Sequence, residues 1–275
     1  MPDFLAVALE AAHRGGAELL DWQTRFSPKE KGPKDLVTEA DVASQTAIRD
    51  VLLGAFPDHD FLGEEEAADR VAKGLPAIPA RGSEYRWIVD PLDGTANYVH
   101  RLQTYAVSIA LQHRNELVLG VVYDPVSEEC FMAKKGEGAT LNGLPLKTSD
   151  CRRLDQAMIA VSFSSNVERG SIEISRFVEA LHSCRSVRRL GSAALNLSYL
   201  AAGRLDAYWA TSVQAWDVAA GFLLVEEAGG KITGIDGKPV EIESPQFLAT
   251  ANPHLHDLML GVLQTAQREH RRSST

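Results

Sequence analysis

Apolar residues recur at helical spacing at the start of the chain: Phe4, Leu5, Ala8, Leu9 and Ala12, then Leu19 and Leu20. The spacing predicts an amphipathic helix over residues 2–22. A Lys-, Pro- and Gly-bearing stretch, residues 27–35, breaks the pattern and reads as a mobile loop. Helical periodicity resumes over residues 38–53, with Val42, Ile48, Leu52 and Leu53 as the expected buried positions. Phe61-Leu62 predicts a short strand closed by Gly63 and three glutamates, and residues 67–81 read as a surface connection. An apolar strand is expected over residues 85–89, and alternation predicts an antiparallel meander over residues 106–112, 117–123 and 130–133. From Ala157 the pattern becomes strands over 158–163, 186–190 and 205–209 alternating with helices over 172–182 and 192–202. A strongly apolar helix over 216–228 is closed by Gly229-Gly230, and short strands over 231–233 and 247–250 precede a last helix over 254–267. The change of pattern near residue 150 divides the chain into an N-terminal α+β half, residues 1–150, and a C-terminal α/β half, residues 151–275.

The run Trp87-Ile-Val-Asp-Pro-Leu-Asp-Gly-Thr-Ala-Asn97 carries the chemistry. Its apolar strand ends in Asp90, Pro91 stiffens the turn, Asp93 supplies a second carboxylate, and Gly94 bends the backbone before Thr95. Carboxylates at a strand end beside turned backbone N–H groups suit a divalent cation together with a phosphate. Two further acids sit in similar places. Glu64 follows Phe61-Leu62-Gly63, and Asp217 follows Trp216 and opens Val218-Ala219-Ala220. A carboxylate so placed is either half-buried and paired or a ligand, because desolvating an unpaired charge costs several kcal/mol, order of magnitude. A helix starting at Thr95 would aim its unsatisfied N–H groups at the acids; an ordinary threonine N-cap explains the residue equally well.

Bulk properties narrow the field. A formal charge of −9 excludes a basic nucleic-acid-binding surface, and the Arg268–Arg272 run reads as a solvated helix end. An anionic substrate on so acidic a chain needs cations to reverse the local sign. The three cysteines, Cys130, Cys151 and Cys184, lack metal or redox spacing and read as free thiols of a reducing compartment. No leader-like start and no membrane-length apolar run is found, so a cytoplasmic protein is expected, with no nucleic acid or membrane as partner.

Competing motifs fail on spacing. An aspartyl-phosphate phosphatase needs Asp-x-Asp-Gly-Thr, whereas here the acids are separated by Pro91 and Leu92. Gly136-Glu-Gly138 lacks a third glycine and a following helix, and reads as a turn. There is no Gly-x-Ser-x-Gly elbow and no phosphate-loop lysine. His254 and His256 diverge on a helix and read as surface residues.

Four blocks in order are Asp35-Leu-Val-Thr-Glu-Ala-Asp41, Gly63-Glu64-Glu65, Asp90-Pro-Leu-Asp-Gly-Thr-Ala-Asn97, and Trp216-Asp217-Val-Ala-Ala-Gly221 through Glu227-Ala-Gly-Gly230. With them the chain resembles the inositol monophosphatase family, within the lithium-sensitive, magnesium-dependent phosphatases. The resemblance implies a five-layer αβαβα sandwich of the inositol monophosphatase and fructose-1,6-bisphosphatase type, assembled as a homodimer. It implies two to three Mg²⁺ ions. One is held by Glu64, Asp90 and the Leu92 carbonyl, a second by Asp90, Asp93 and Asp217, and a weaker third lies near Glu64 through waters. Thr95 and Asp41 would activate the attacking water, and the Gly94 and Thr95 amides would hold the phosphate. The segment Gly191-Ser192-Ala193, with Asp93 and Asp217, would meet the alcohol portion, and residues 31–35 resemble a mobile lid over the metals.

The implied activity is hydrolysis of a small phosphate monoester, inositol 1-phosphate or a similar sugar or polyol monophosphate. Alternatives are a related hydrolase for fructose 1,6-bisphosphate, histidinol phosphate or 3′-phosphoadenosine 5′-phosphate, or a non-catalytic regulatory binding protein. One position departs from the family pattern: Ala210 stands where inositol phosphatases usually carry a glutamate that accepts hydrogen bonds from inositol hydroxyls. Loss of a buried acceptor weakens discrimination for a polyol. Ala96 stands where the nucleotide and histidinol-phosphate branches usually carry a lysine.

Overall fold

The computed structural model describes residues 3–27, 29–32, 35–164 and 167–273. The chain opens with α1 (Phe4–Trp22), β1 (Lys29–Gly32), β2 (Asp35–Val37) and α2 (Glu39–Ala55). Next come β3 (Asp60–Gly63), α3 (Glu64–Ala72), β4 (Tyr85–Asp93) and the single turn α4 (Thr95–Val99). A meander follows in β5 (Ala106–His113), β6 (Glu116–Asp124), β7 (Glu129–Lys134), β8 (Gly138–Leu141) and β9 (Leu144–Pro145). The remainder runs β10 (Met158–Ser162), α5 (Ile172–Ser183), β11 (Ser186–Arg188), α6 (Ala193–Ala201), β12 (Ala207–Ala210) and α7 (Ala215–Glu227). It ends with β13 (Lys231–Gly234), β14 (Phe247–Thr250) and α8 (Pro253–Ser273).

Two sheets organise the layers. One has seven strands in the order β3-β4-β5-β6-β7-β8-β9, antiparallel except for the parallel pair β3–β4. The other has five strands in the order β11-β10-β12-β14-β13. Period-2 alternation hands successive side chains to opposite faces. On β4, Trp87 and Val89 join the core beneath α1 and α2, while Ile88 faces the core shared with α6 and α7. On β12, Tyr208 and Ala210 face that same α6–α7 layer, and Ala207 and Trp209 pack with α5 and α8. The result is helices, sheet, helices, sheet, helices: the five-layer αβαβα sandwich. The middle layer is covered on both sides, which is why α6 and α7 are apolar around nearly their whole circumference.

Four expectations change, the first at Val42, which is exposed on α2 rather than buried. Residues 67–81 are not all connection, because Glu64–Ala72 forms α3. Its Glu- and Ala-rich stretch favours helix, and its three first-turn glutamates suit the positive helix end. The breakers begin only at Gly74 (φ 73°). Within residues 27–35, β1 and β2 pair as an antiparallel ribbon, while positions 28, 33 and 34 lie outside the described residues, and with them part of the expected lid. His256 is not a surface residue: it is fully buried between the Thr233 and Thr250 hydroxyls at 2.9 and 3.0 Å, whereas His254 is exposed. Residues 135–137 form a turn that leads into β8 at Gly138, and the three cysteines are free. No described helix is long and apolar enough to cross a membrane.

Candidate active site

Asp90 and Asp93 are three residues apart and in a regular strand would project to opposite faces. A bulge prevents this. Asp90 pairs with Ser108 and Asp93 with Ala106, so Pro91 and Leu92 together oppose the single residue Val107. The extra residue re-aims the strand end and brings both carboxylates to the α6–α7 side. Proline tolerates the bulge because it has no ladder N–H to lose, and its carbonyl accepts from the Ser44 hydroxyl of α2 at 2.9 Å. The turn is completed by Gly94 at φ 99°, where a Cβ would lie 2.9 Å from the Thr104 carbonyl. Asn97 then ties the segment across the layers, donating to the Thr104 carbonyl at 2.7 Å and the Leu190 carbonyl at 2.8 Å.

Asp41 reaches this turn from α2. It closes a capping box with Thr38, accepting from the Thr38 N–H at 2.7 Å and hydroxyl at 2.6 Å. Its second oxygen lies 3.2 Å from the Thr95 hydroxyl, which is also 3.1 Å from the Leu92 carbonyl. The first turn of α7 presents Asp217, whose carboxylate accepts from the Gln214 N–H at 2.7 Å. Glu64 stands at the start of α3, whose Glu65 N–H is held by Gln45 of α2 at 3.1 Å.

Glu64, Asp90, Leu92, Asp93, Gly94, Thr95, Gly191, Ala193 and Asp217 line one cavity of about 330 Å³. Residues from five separate elements and loops therefore converge there. Ser192 lies behind the wall, fully buried: its hydroxyl donates to Asp93, and the Ala193 and Ala194 N–H groups add bonds at 3.1 and 2.7 Å. The start of α6 thus grips a carboxylate of β4. Of the segment that the resemblance sets against the alcohol, Gly191 and Ala193 line the cavity, and the Ser192 hydroxyl and Ala193 amide bind Asp93. Sequence reading missed Ala194, Ser44 and Gln214, which act through backbone contacts that leave no motif. Ala210 is buried in the middle layer and does not line the cavity.

The electrostatics differ from acid to acid. Burial raises Asp90 well above the usual carboxylate range, and the charges of Glu64, Asp93 and Asp217 push it further. Burial likewise raises Asp217, with Asp93 and Glu64 adding to it, partly offset by the Gln214 N–H and a bond shared with Asp90. Burial lifts Asp93 to only about 6, because Ser192 and the α6 amides favour its charged form. None of Asp90, Asp93 and Asp217 pairs with a basic side chain among the described residues. Among these residues, no three acidic, histidine or cysteine side chains enclose an ion unaided. Open oxygen sites of this kind suit Mg²⁺, which keeps waters and substrate oxygens alongside one or two carboxylates.

Fold and site together define the class: a layered αβαβα hydrolase scaffold with buried acids at a bulged strand end. The inositol monophosphatase family model matches residues 2–268, and the chain belongs to that family of phosphoric monoester hydrolases. It is 37% identical to an inositol-1-monophosphatase of Caulobacter vibrioides, over 94% of this chain and 99% of that one. It is 36% identical to the Nus factor SuhB of Pseudomonas aeruginosa, over 93% and 98%. The crystal structure of the extragenic suppressor protein suhB from Bartonella henselae superposes with a TM-score of 0.86 at 35% identity, covering 94% of this chain and 97% of that one.

Proposed function

We propose that the protein hydrolyses a small phosphate monoester, inositol 1-phosphate or a similar sugar or polyol monophosphate, with two to three Mg²⁺ ions held by Glu64, Asp90, the Leu92 carbonyl, Asp93 and Asp217. One observation carries the reading: a strand bulge turns two buried acids toward a third, and no basic side chain of the described residues neutralises them. When bound, Mg²⁺ supplies an acidified water and charge neutralisation at phosphate and leaving oxygens.

The chain's own residues do the rest. Asp41 orients the Thr95 hydroxyl, leaving its lone pairs to accept from and align a water for attack. The Gly94 and Thr95 amides precede the first intrahelical bond, Tyr98 N–H to the Gly94 carbonyl, and in this reading hold phosphate oxygens. Gly191 and Ala193 form the wall beside the alcohol, and Ser192 positions Asp93. Purified protein should release phosphate from inositol 1-phosphate or glycerol 2-phosphate with Mg²⁺ and lose that activity on chelation. Turnover that survives exhaustive chelation rejects the reading.

A second reading, a regulatory protein, is favoured by the name Nus factor borne by a relative of 36% identity. Stable capture of a protein partner together with no turnover on any phosphate ester would put it first.

A further inference from the structure

We infer that the part of the cavity lined by Ser162, Phe163 and Arg189 is a subsite for a second anionic group on the leaving alcohol, with Arg189 as its specificity determinant. This deepens the hydrolase reading and rests on it. Ser162, Phe163 and Arg189 line the same cavity as Glu64, Asp90, Asp93 and Asp217. The Arg189 guanidinium lies 4.4 Å from the centre of the Phe163 ring, and its Nη2 donates to the Phe163 carbonyl at 2.8 Å. It has no carboxylate partner among the described residues, although four acids share its cavity. Elsewhere on this acidic chain arginines do find acids, as in Arg49 with Glu66, Arg114 with Glu84, and Arg204 with Glu129.

The ring and the carbonyl hold Arg189 without neutralising it, and its remaining N–H donors are free for a bidentate oxyanion. Ser162 has the same polarity. Its hydroxyl accepts from Tyr208 at 2.9 Å, which leaves its own proton to donate. Tyr208 stays protonated because burial raises its pKa. Arg189 and Ser162 thus give this part of the cavity hydrogen-bond donors rather than a carboxylate acceptor. Donors facing the leaving group fit an alcohol that carries its own oxyanion, phosphate or carboxylate.

The test uses substrate pairs differing in that group: fructose 1,6-bisphosphate against fructose 1-phosphate, and 2-phosphoglycerate against glycerol 2-phosphate. With Mg²⁺, the wild-type protein should favour the doubly anionic member of at least one pair by about 10- to 100-fold in kcat/KM. The pair that responds tells phosphate from carboxylate. Arg189→Gln should collapse that ratio toward one through KM, and Arg189→Lys should retain part of it. A wild-type ratio near one in both pairs, or a ratio that Arg189→Gln leaves intact, overturns the subsite. If no ester is turned over, the hydrolase reading fails separately. The subsite is then read by calorimetric binding of fructose 1,6-bisphosphate and fructose 1-phosphate to the Mg²⁺-supplied protein, where equal affinities overturn it.

Discussion

The two walls of the site treat a carboxylate in opposite ways. At the α6 wall, Asp93 is gripped by the Ser192 hydroxyl and the Ala193 and Ala194 amides, so its charge is solvated by the protein itself. At the α7 wall, Asp90 has the Leu92 N–H at 2.9 Å and otherwise faces acids, and Asp217 has the Gln214 N–H. Burial costs both walls, yet Asp93 has three protein donors where Asp90 and Asp217 each have one backbone N–H. The α6 wall is a finished piece of structure, and the α7 wall leaves its acids facing one another, where the proposed function puts a cation. The difference locates where stability was given up for binding.

The largest expected effects test the site as a whole. Asp90→Asn and Asp93→Asn should each lower kcat by at least about 10²-fold in a Mg²⁺-saturated phosphate-release assay. Full activity in either variant would remove that residue from the proposed machinery. Their stabilities should then diverge. In chelator, Asp90→Asn relieves like-charge repulsion and should raise the melting temperature, by about 1 kcal/mol of stability. Asp93→Asn replaces an acceptor shared by three donors and should lose about 1–2 kcal/mol. Shifts of the same sign in both melts would break the contrast between the walls.

Mg²⁺ itself should stabilise the wild type by about 2.7 kcal/mol at a hundred times its dissociation constant, and Asp90→Asn should lose most of that shift. Away from the site, His256 shows that neutral hydroxyl neighbours can leave a buried group uncharged. Burial, aided by Lys231, pushes its pKa down to about 4. The unfolded chain binds that proton near 6.5, so its contribution is complete above that value and is lost as pH falls toward 4. Unfolding by urea should therefore report about 2 kcal/mol less stability at pH 5 than at pH 7 from this residue, and His256→Gln should flatten the dependence. Smallest, Ser192→Ala removes both a helix N-cap and one donor to Asp93. It should cost about 1 kcal/mol of stability and roughly tenfold in turnover. A stability loss with unchanged turnover would reduce Ser192 to a cap alone.

Much of this was legible before the fold was known. The Asp90–Asn97 run announced itself because a strand pattern ending in two acids, proline and glycine is locally unusual. Helical and alternating periods located most elements, since each buries one face and must repeat at its own spacing. Other features were hidden. The bulge at Pro91-Leu92 is defined against β5, so no local pattern reports it. The burial of His256 depends on threonines from β13 and β14, and the α6 grip on Asp93 joins residues a hundred positions apart. Arg189 looked like one basic residue among many until the fold set it beside Phe163 in the cavity that the four acids also line.

Most of the elements were readable from sequence alone, because periodicity and short-range turn chemistry are local properties of the chain, while the layered fold and the family came through the resemblance carried by the four motif blocks. Only the tertiary structure decided how each acid is treated. Desolvation and hydrogen-bond partners are set by what packs from other elements, and they separate a carboxylate held by the protein from one left facing like charges.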